Sequence, residues 1–339
     1  MDGERVREVW GLADEAGRGS PQVWLRPGVP TFAGVPVARR PEELNGASAA
    51  VLGIPWQPVS AAAVRGPAGG PAAIRRAAAA YAAALHGGTL PEVDRELVPS
   101  ARLRVVDYGD VTIAGGDPGA MIGAAHERLI EVIAAGAVPL VLGGGAGVAT
   151  PALEVLCGRL TGKLGIIAFT AGLGLCGPEG DAEAGRWRRA FELGVVEPEA
   201  FVQIGVRAAA AAVETAAAAA LGHRWYTVAD VDEAGVEVVA QEALEAATRG
   251  TEAVYLSIDV DVLDLPGAGP SAPGGLSLRE LLRALRVAAR APLGAADVTG
   301  VPGDGAPATA SGAARAVLEV IAGLAQQFPE GQGAGTGAP

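Results

Sequence analysis

Short apolar runs and Ala-rich helical stretches alternate along most of the chain, beginning at about residue 49. The apolar runs are continuous, and Gly or Pro bounds them, which is typical of strands buried on both faces of a sheet. We therefore predict strands at residues 49–55, 103–109, 138–144, 164–170, 201–207, 224–228, 253–260 and 294–299.

Helices are predicted between these strands. Pro71 favours a helix start, Gly136 and Gly250 favour helix ends, and Ser277 with Glu280 has the spacing of a capping box. The predicted helices cover residues 71–85, 119–136, 236–250, 277–290 and 309–328. Alternation of strands and helices predicts a three-layer α/β/α fold around a mostly parallel sheet of about eight strands.

The two ends of the chain differ from its middle. Residues 1–30 are polar and rich in Gly and Pro, so we predict an N-terminal extension over residues 1–40 with little core of its own. The α/β/α domain is predicted to cover residues 41–327. Residues 328–339 contain no core-forming side chains, which predicts a disordered tail.

Composition and charge narrow the range of functions. Half of the 339 residues are hydrophobic, which is enough to bury a large core. The net charge of −12 repels phosphate backbones, so we expect no nucleic-acid partner. No stretch predicts a membrane span or a signal peptide, and two cysteines make no disulfide framework. We expect a soluble cytoplasmic protein with no membrane partner.

The candidate chemistry is concentrated in the segment SIDVDVLD at residues 257–264. Asp259 and Asp261 are two residues apart at the end of an apolar strand, and a period of two puts both side chains on one face. Two carboxylates at such a strand end can chelate a hard divalent cation, or they can be ordinary loop or capping acids. Asp264, before Leu265 and Pro266, is predicted to be a turn former.

Several segments resemble, in the same order, motifs of the arginase/agmatinase (ureohydrolase) family, in its agmatinase-like branch. SIDVDVLD, followed by PGGLSLREL at residues 273–281, is similar to the family segment that contains its last pair of aspartates. The resemblance is collinear from about residue 28 to about residue 325 and implies an arginase-like fold. The other similar segments are GVPTFAGVP (28–36), the segment 51–77, VVDYGDV (105–111), PLVLGGGAG (139–147), GIIAFTAGLGL (165–175) and VQIGVR (202–207).

The resemblance implies a site for two Mn²⁺ ions, held by four carboxylates and two imidazoles, which activate a hydroxide for hydrolysis of a guanidino group. The last pair of ligands falls on Asp259 and Asp261. The other ligand positions fall on residues that carry no carboxylate or imidazole, namely Ala146, Thr170, Gly172 and Gly174. We therefore expect a degenerate metal site with no cofactor, or at most one weakly bound Mn or Mg ion at Asp259 and Asp261.

The substrate-site positions that the resemblance implies fall on Ala184 and Gly300, neither of which has a functional side chain. Two nearby carboxylates without a cation repel each other, so we expect one raised pKa or an arginine that fills the space. The candidates for that arginine are Arg186, Arg188 and Arg207. The three histidines are predicted to be surface or helix-end residues rather than ligands; they are His86, His126 and His223.

These expectations leave several functions open. The first is a non-catalytic pseudoenzyme. It could act as a regulatory or structural partner, in a homo-oligomer or in a hetero-oligomer with an active ureohydrolase. It could instead bind a small cationic amine or guanidino compound. The second is a repurposed single-metal hydrolase, for which Cys176 is a weak candidate nucleophile because no His lies near it in sequence. An ordinary agmatinase- or arginase-type hydrolase of linear amidines ranks last.

Overall fold

A computed structural model describes residues 23–56, 69–82, 90–91, 96–97, 103–113, 117–176, 185–207, 212–265, 273–303 and 306–327. Its strands are β1 (Trp24–Arg26), β2 (Val29–Pro30), β3 (Ala49–Ile54), β4 (Leu90–Pro91), β5 (Glu96–Leu97), β6 (Val105–Asp110), β7 (Val138–Gly143), β8 (Lys163–Phe169), β9 (Val196–Val206), β10 (Arg224–Thr227), β11 (Thr251–Asp259) and β12 (Leu293–Thr299).

Eight of these strands form one sheet in the order β10-β9-β8-β11-β12-β7-β3-β6. Every pairing in this sheet is parallel. The remaining strands form two short antiparallel pairs, β1 with β2 and β4 with β5. The carboxyl ends of the eight strands therefore all lie along one edge of the sheet, which is where the loops of parallel sheets place functional groups.

The helices in the described residues are α1 (Gly70–Ala78), α2 (Pro118–Ala134), α3 (Ala149–Cys157), α4 (Arg186–Glu192), α5 (Ala212–Leu221), α6 (Val228–Ala234), α7 (Val236–Thr248), α8 (Leu278–Ala288) and α9 (Pro307–Gln327). Helices α1, α7, α8 and α9 supply side chains to one hydrophobic core, and α2, α3 and α4 supply side chains to a second core. The sheet lies between the two cores.

Strand β11 contributes side chains to both cores. Val254, Leu256 and Ile258 belong to one core, whereas Tyr255 belongs to the other, and all four side chains are fully buried. Successive side chains of a strand point to opposite faces, so a central strand between two cores is apolar at most positions. The predicted three-layer fold with an eight-stranded, mostly parallel sheet is confirmed.

The predicted helices also correspond to observed ones, with small shifts at their ends. The Ser277 hydroxyl accepts a hydrogen bond from the Glu280 backbone, and the Glu280 carboxylate accepts one from Ser277, so the predicted capping box is present. The predicted helix 71–85 begins at Gly70 and passes into a 3₁₀ turn at Ala79–Tyr81. The helices α3, α4, α5 and α6 were not predicted.

The ends of the chain are only partly described. Phe32 and Ala33 are fully buried in one of the two cores, so part of the predicted extension packs on the domain. The division at residue 40 stays a prediction. The predicted tail at residues 328–339 lies outside the described residues.

Helix α9 is the one helix among the described residues that is long and apolar enough to cross a membrane. Within its most apolar window, 89% of the residues are buried inside the fold. That burial is the position of a core helix in a globular protein, so the helix is weak evidence for a membrane span. The cytoplasmic location stays a prediction.

Candidate functional site

The candidate site lies where four adjacent strands, β8, β11, β12 and β7, end at the same edge of the sheet. The register pairs Ile258 with Phe169, so Thr170 begins its loop beside Asp259. On the other side Asp259 pairs with Thr299, so Gly300 also begins its loop beside Asp259. Strand register thus brings together residues that are far apart in sequence.

Asp259 and Asp261 lie close together, but not because side chains alternate along a strand, as was predicted. Strand β11 ends at Asp259, and the chain turns at once into a 3₁₀ turn at Val260–Val262. The Asp259 carboxylate caps this turn by accepting a hydrogen bond of 3.0 Å from the Asp261 backbone N–H. The prediction of a shared strand face for Asp259 and Asp261 was therefore wrong, because the second residue no longer belongs to the strand. Both side chains are nonetheless buried.

Arg186 is the arginine that fills the space beside the aspartates. Its Nη2 lies 3.6 Å from the Asp259 carboxylate and donates a hydrogen bond of 3.3 Å to the Thr170 hydroxyl. Its guanidinium carbon lies 5.3 Å from the centre of the Trp187 ring, within the range of a cation–π contact. Arg186 is only 7% exposed. Of the three candidate arginines, this is the one that pairs with Asp259.

The loop after β8 is shaped around that guanidinium. Gly174 has a φ of +59°, and a β-carbon there would lie 3.1 Å from Arg186 Nη1 and 3.2 Å from its Cζ. Any larger residue at 174 would require Arg186 or Trp187 to move by a few tenths of an ångström. The backbone N–H of Trp187 donates to the carbonyl of Gly174, so the first turn of α4 is attached to this loop. Thr170 and Gly174 therefore lie against an arginine.

Arg207 and Arg188 have other roles. Arg207 donates hydrogen bonds to the backbone carbonyls of Asp261 and Val262, at 2.7 and 3.0 Å, and so stabilises the turn that follows β11. Burial lowers the pKa of Arg207, while the nearby carboxylates of Asp261, Asp264 and Asp259 oppose that effect. Arg188 lies on the outer face of α4, where it pairs with Glu192.

Gly300 and Ala146 follow the carboxyl ends of β12 and β7, respectively. Gly300 has a φ of +77°, and its backbone N–H donates to the carbonyl of Gly144 across the ends of β12 and β7. A β-carbon at 300 would overlap the Asp259 carboxylate and would lie 3.2 Å from Asp261 Oδ1. Ala146 begins a 3₁₀ turn at Ala146–Val148 and is buried.

A buried polar pair supports the loop after β8 and was not predicted. The Gln203 amide donates to the carbonyls of Leu173 and Gly172, so its oxygen is the acceptor for His223 Nε2 at 3.0 Å. His223 was predicted to be a surface or helix-end residue. It lies between the end of α5 at Leu221 and the start of β10 at Arg224, but it is only 5% exposed and stacks on Phe201 at 4.9 Å, so it is not a surface residue. Burial lowers its pKa to about 4. The burial of His223 results from tertiary packing, which a single histidine in the sequence does not predict.

Asp297 is a further buried acid, and it was not singled out from the sequence. Its carboxylate accepts hydrogen bonds from the hydroxyls of Tyr255 and Ser257. Burial raises the pKa of Asp297 to about 6, although these hydrogen bonds and Arg186 act in the opposite direction. The signal that could have identified it is an acidic residue inside the otherwise apolar strand 294–299.

The remaining candidates add little to the site. Ala184 and His86 lie outside the described residues. His126 pairs with Glu154 at 3.0 Å on the surface between α2 and α3. The Cys176 backbone N–H donates to Glu214 at 3.4 Å, and its thiol faces the Val213 carbonyl at 3.9 Å.

Comparisons with known proteins agree with this fold. Residues 47–323 match the arginase family. A guanidinopropionase of Pseudomonas aeruginosa is 31% identical over 312 residues, which cover 88% of this chain and 92% of that protein. A formimidoylglutamase of Halalkalibacterium halodurans is 28% identical over 209 residues, or 59% of this chain and 65% of that protein. The chain belongs to the arginase family.

The fold comparison gives the same result. The structure of proclavaminate amidino hydrolase from Streptomyces clavuligerus has a TM-score of 0.74 at 26% identity and covers 88% of this chain and 97% of that chain. The resemblance predicted from the motifs is therefore confirmed at the level of family and fold.

The expectation about cofactors requires a correction. A formiminoglutamase structure from Trypanosoma cruzi, with a TM-score of 0.72 at 21% identity over 88% of this chain and 99% of that chain, is described with Mn²⁺. Mn²⁺ thus occurs in proteins of this fold. We withdraw the expectation of no cofactor, or of at most one weakly bound Mn or Mg ion at Asp259 and Asp261.

The described side chains can be tested against such a centre. Among the described residues there is no group of three or more His, Cys, Asp or Glu side chains that could hold a metal ion. Next to the aspartates, position 146 carries only a methyl group, position 170 a hydroxyl group, and positions 172 and 174 a hydrogen. Mn²⁺ requires carboxylate, imidazole or similar donors. This donor set does not fit two Mn²⁺ ions.

Proposed function

We propose that this chain is a non-catalytic member of the arginase family, a pseudoenzyme whose degenerate site no longer carries out ureohydrolysis. The observation that carries the proposal is the ion pair between Arg186 and Asp259. A positively charged side chain at this carboxylate opposes the binding of a cationic centre there, because like charges repel strongly where water is scarce. The alternative, an agmatinase-type or single-metal hydrolase, lacks comparable support.

The neighbouring positions favour the same conclusion. Hydrolysis of a guanidino group requires an activated water and a stabilised tetrahedral intermediate. Ala146, Gly172 and Gly174 offer no side chain for either task, and the space at Gly300 is closed by the Asp259 carboxylate. Among the described residues, Asp259 is a candidate general base, but its carboxylate already pairs with the Arg186 guanidinium and accepts a hydrogen bond from the Asp261 backbone N–H.

The retained fold suggests a role in assembly. We propose that the protein acts as a regulatory or structural partner, either with further copies of itself or with an active ureohydrolase. A complete eight-stranded sheet and two packed cores are retained, although Ala146, Gly172 and Gly174 carry no metal-binding side chain. Sedimentation of the purified chain, alone and mixed with the agmatinase-type enzyme of the same organism, measures this assembly. Monomers in both samples, with no change in the enzyme's kcat/KM, would contradict it.

The catalytic part of the proposal is tested by product release. The purified chain, supplied with excess Mn²⁺, is incubated with agmatine, guanidinopropionate and formimidoylglutamate, and urea and ammonia are measured. We expect no release above that of the Asp259→Asn variant. Turnover that disappears in Asp259→Asn but persists in the matched variant Asp264→Asn, whose carboxylate accepts a hydrogen bond from the Gly274 backbone, would overturn the proposal.

A further inference from the structure

We propose that the carboxyl edge of the sheet contains a guanidinium-binding site whose occupant is the Arg186 side chain of the same chain. A guanidinium is a planar cation with donors around its rim and two apolar faces. Its recognition therefore needs an anion, an in-plane acceptor and an aromatic face. Asp259, Thr170 and Trp187 supply these three groups, at 3.6 Å, 3.3 Å and 5.3 Å.

The acceptor is oriented by its own hydrogen bond. The Thr170 hydroxyl donates to the Gly172 carbonyl at 3.0 Å, so its oxygen acts as an acceptor for the Gly172 backbone N–H at 3.4 Å and for Arg186 at 3.3 Å. Gln203 in turn donates to the same carbonyl and to that of Leu173, which fixes the loop from beneath. The site is thus held in shape by residues that do not touch the cation, and such preorganisation lowers the cost of binding.

The space is fitted to the group that fills it. A β-carbon at Gly174 would approach both a nitrogen and the central carbon of the guanidinium, at 3.1 and 3.2 Å. Trp187 is fully buried, so the ring that faces the cation cannot move aside without opening the core. Removal of the arginine side chain would leave a buried anion and an empty space of guanidinium size.

Arg186 occupies this site whether or not the protein hydrolyses a substrate, so its occupancy is independent of the proposed function. It makes Arg186 an internal competitor. A free guanidinium or alkylguanidinium ion binds at Asp259 only when the side chain of residue 186 no longer occupies the site.

The test is rescue of a deleted side chain. Methylguanidinium chloride is titrated, below its denaturing range, into the wild-type chain, Arg186→Ala, and the matched control Arg188→Ala from the exposed face of the same helix. Binding is followed by saturation-transfer NMR on the methyl protons. We expect Arg186→Ala to bind with a dissociation constant on the order of 1 mM. The wild-type chain and Arg188→Ala should bind at least roughly tenfold more weakly.

The double variant Arg186→Ala/Asp259→Asn should lose that binding, since the anion is gone. A folded Arg186→Ala chain that binds no better than Arg188→Ala would overturn the proposal, as would equal binding in the double variant.

A measurement on the intact chain decides the matter if Arg186→Ala does not fold. The side-chain Nε–H of Arg186 is assigned by through-bond NMR correlation to its backbone, and its hydrogen exchange is measured. We expect slower exchange than for Arg188 and a resonance that shifts in Asp259→Asn but not in Asp264→Asn. Exchange as fast as that of Arg188, or no response to Asp259→Asn, would overturn the assignment of Arg186 as the occupant.

Discussion

Gly300 and the Asp259 carboxylate are packed so closely that no β-carbon fits between them. The backbone of Gly300 also has a φ of +77°, which disfavours any residue with a side chain. Position 300 is one of the two substrate-site positions that the family resemblance implies. The glycine is therefore part of the local packing, and its replacement would disturb the aspartate as well as the backbone.

Replacement of Gly300 by Ala should destabilise the fold for both reasons. The matched control is Gly274→Ala. Gly274 has a similar φ of +86°, but no atom of the described residues lies within 4 Å of the position that a β-carbon would take there. We expect the control to cost about 1–2 kcal/mol from the left-handed backbone alone. Gly300→Ala should cost about 1–3 kcal/mol more, from overlap with Asp259. Urea unfolding measures both values, and equal losses would contradict the close packing.

The Arg186–Asp259 pair should be energetically coupled. Removal of one partner leaves a buried charge without compensation, which costs about 3–5 kcal/mol. We expect Arg186→Met to show a loss of that size and Arg186→Met/Asp259→Asn to lose less than the sum of the two single variants. The free energies of unfolding of the four chains form the cycle. Additive losses would mean that the two side chains do not interact.

A second buried pair provides a comparison between buried and exposed charges. Arg75 is fully buried and donates to both oxygens of Asp107, at 2.8 and 2.9 Å. We expect Asp107→Asn to cost about 3–5 kcal/mol of unfolding free energy. The control is Arg26→Ala, which breaks an exposed 3.1 Å pair with Asp110 and should cost about 0–1 kcal/mol. Similar losses for the two variants would refute the buried network.

His223 should make the fold less stable in mild acid. Burial lowers its pKa from 6.5 to about 4, so between these values the unfolded chain binds a proton that the folded chain does not. The free energy of unfolding must then fall as the pH decreases from about 6.5 to about 4. In His223→Gln this fall should be smaller than in the wild-type chain, as measured by urea unfolding across that range. A slope that does not change would mean that the imidazole is not buried in its neutral form.

Asp297 should act in the opposite direction over nearly the same pH range. Burial raises its pKa from 3.8 to about 6, so between these values the folded chain keeps a proton that the unfolded chain has released. Its contribution to stability falls as the pH rises from about 4 to about 6. Asp297→Asn removes that effect, so the stability of the variant should rise more steeply with pH than that of the wild-type chain. A flatter profile would contradict a raised pKa.

Much of the fold could be predicted because each central strand is a continuous apolar run. The predicted strand 253–260 became Thr251–Asp259, and the capping box at Ser277 placed the start of α8 within one residue. Helix α3, Ala149–Cys157, was missed because it is buried on nearly every side and so lacks a polar face. The short pair β1–β2 carries too few residues for a period to be visible.

The site was harder to predict than the fold. The sequence indicated that an arginine could neutralise the aspartates, but three arginines met that description. Strand register and the turn into α4 select Arg186, and neither can be read from local sequence. The prediction that Asp261 shares a strand face with Asp259 failed for a local reason. The Asp259 carboxylate caps a 3₁₀ turn, so the strand ends earlier than the apolar pattern indicated.

The glycine at position 174 also bears on the order in which mutations could restore a metal ligand. An aspartate introduced there while Arg186 is present would meet a nitrogen of the guanidinium at 3.1 Å from its β-carbon, on a backbone with positive φ. Arg186 or Trp187 would have to move by a few tenths of an ångström, and the new carboxylate would pair with the guanidinium rather than with a metal ion. Loss of the arginine would in turn leave Asp259 as an unneutralised buried charge. Each single step back toward a ligand set is therefore unfavourable before the next one can help, so reversion would proceed through a less stable intermediate.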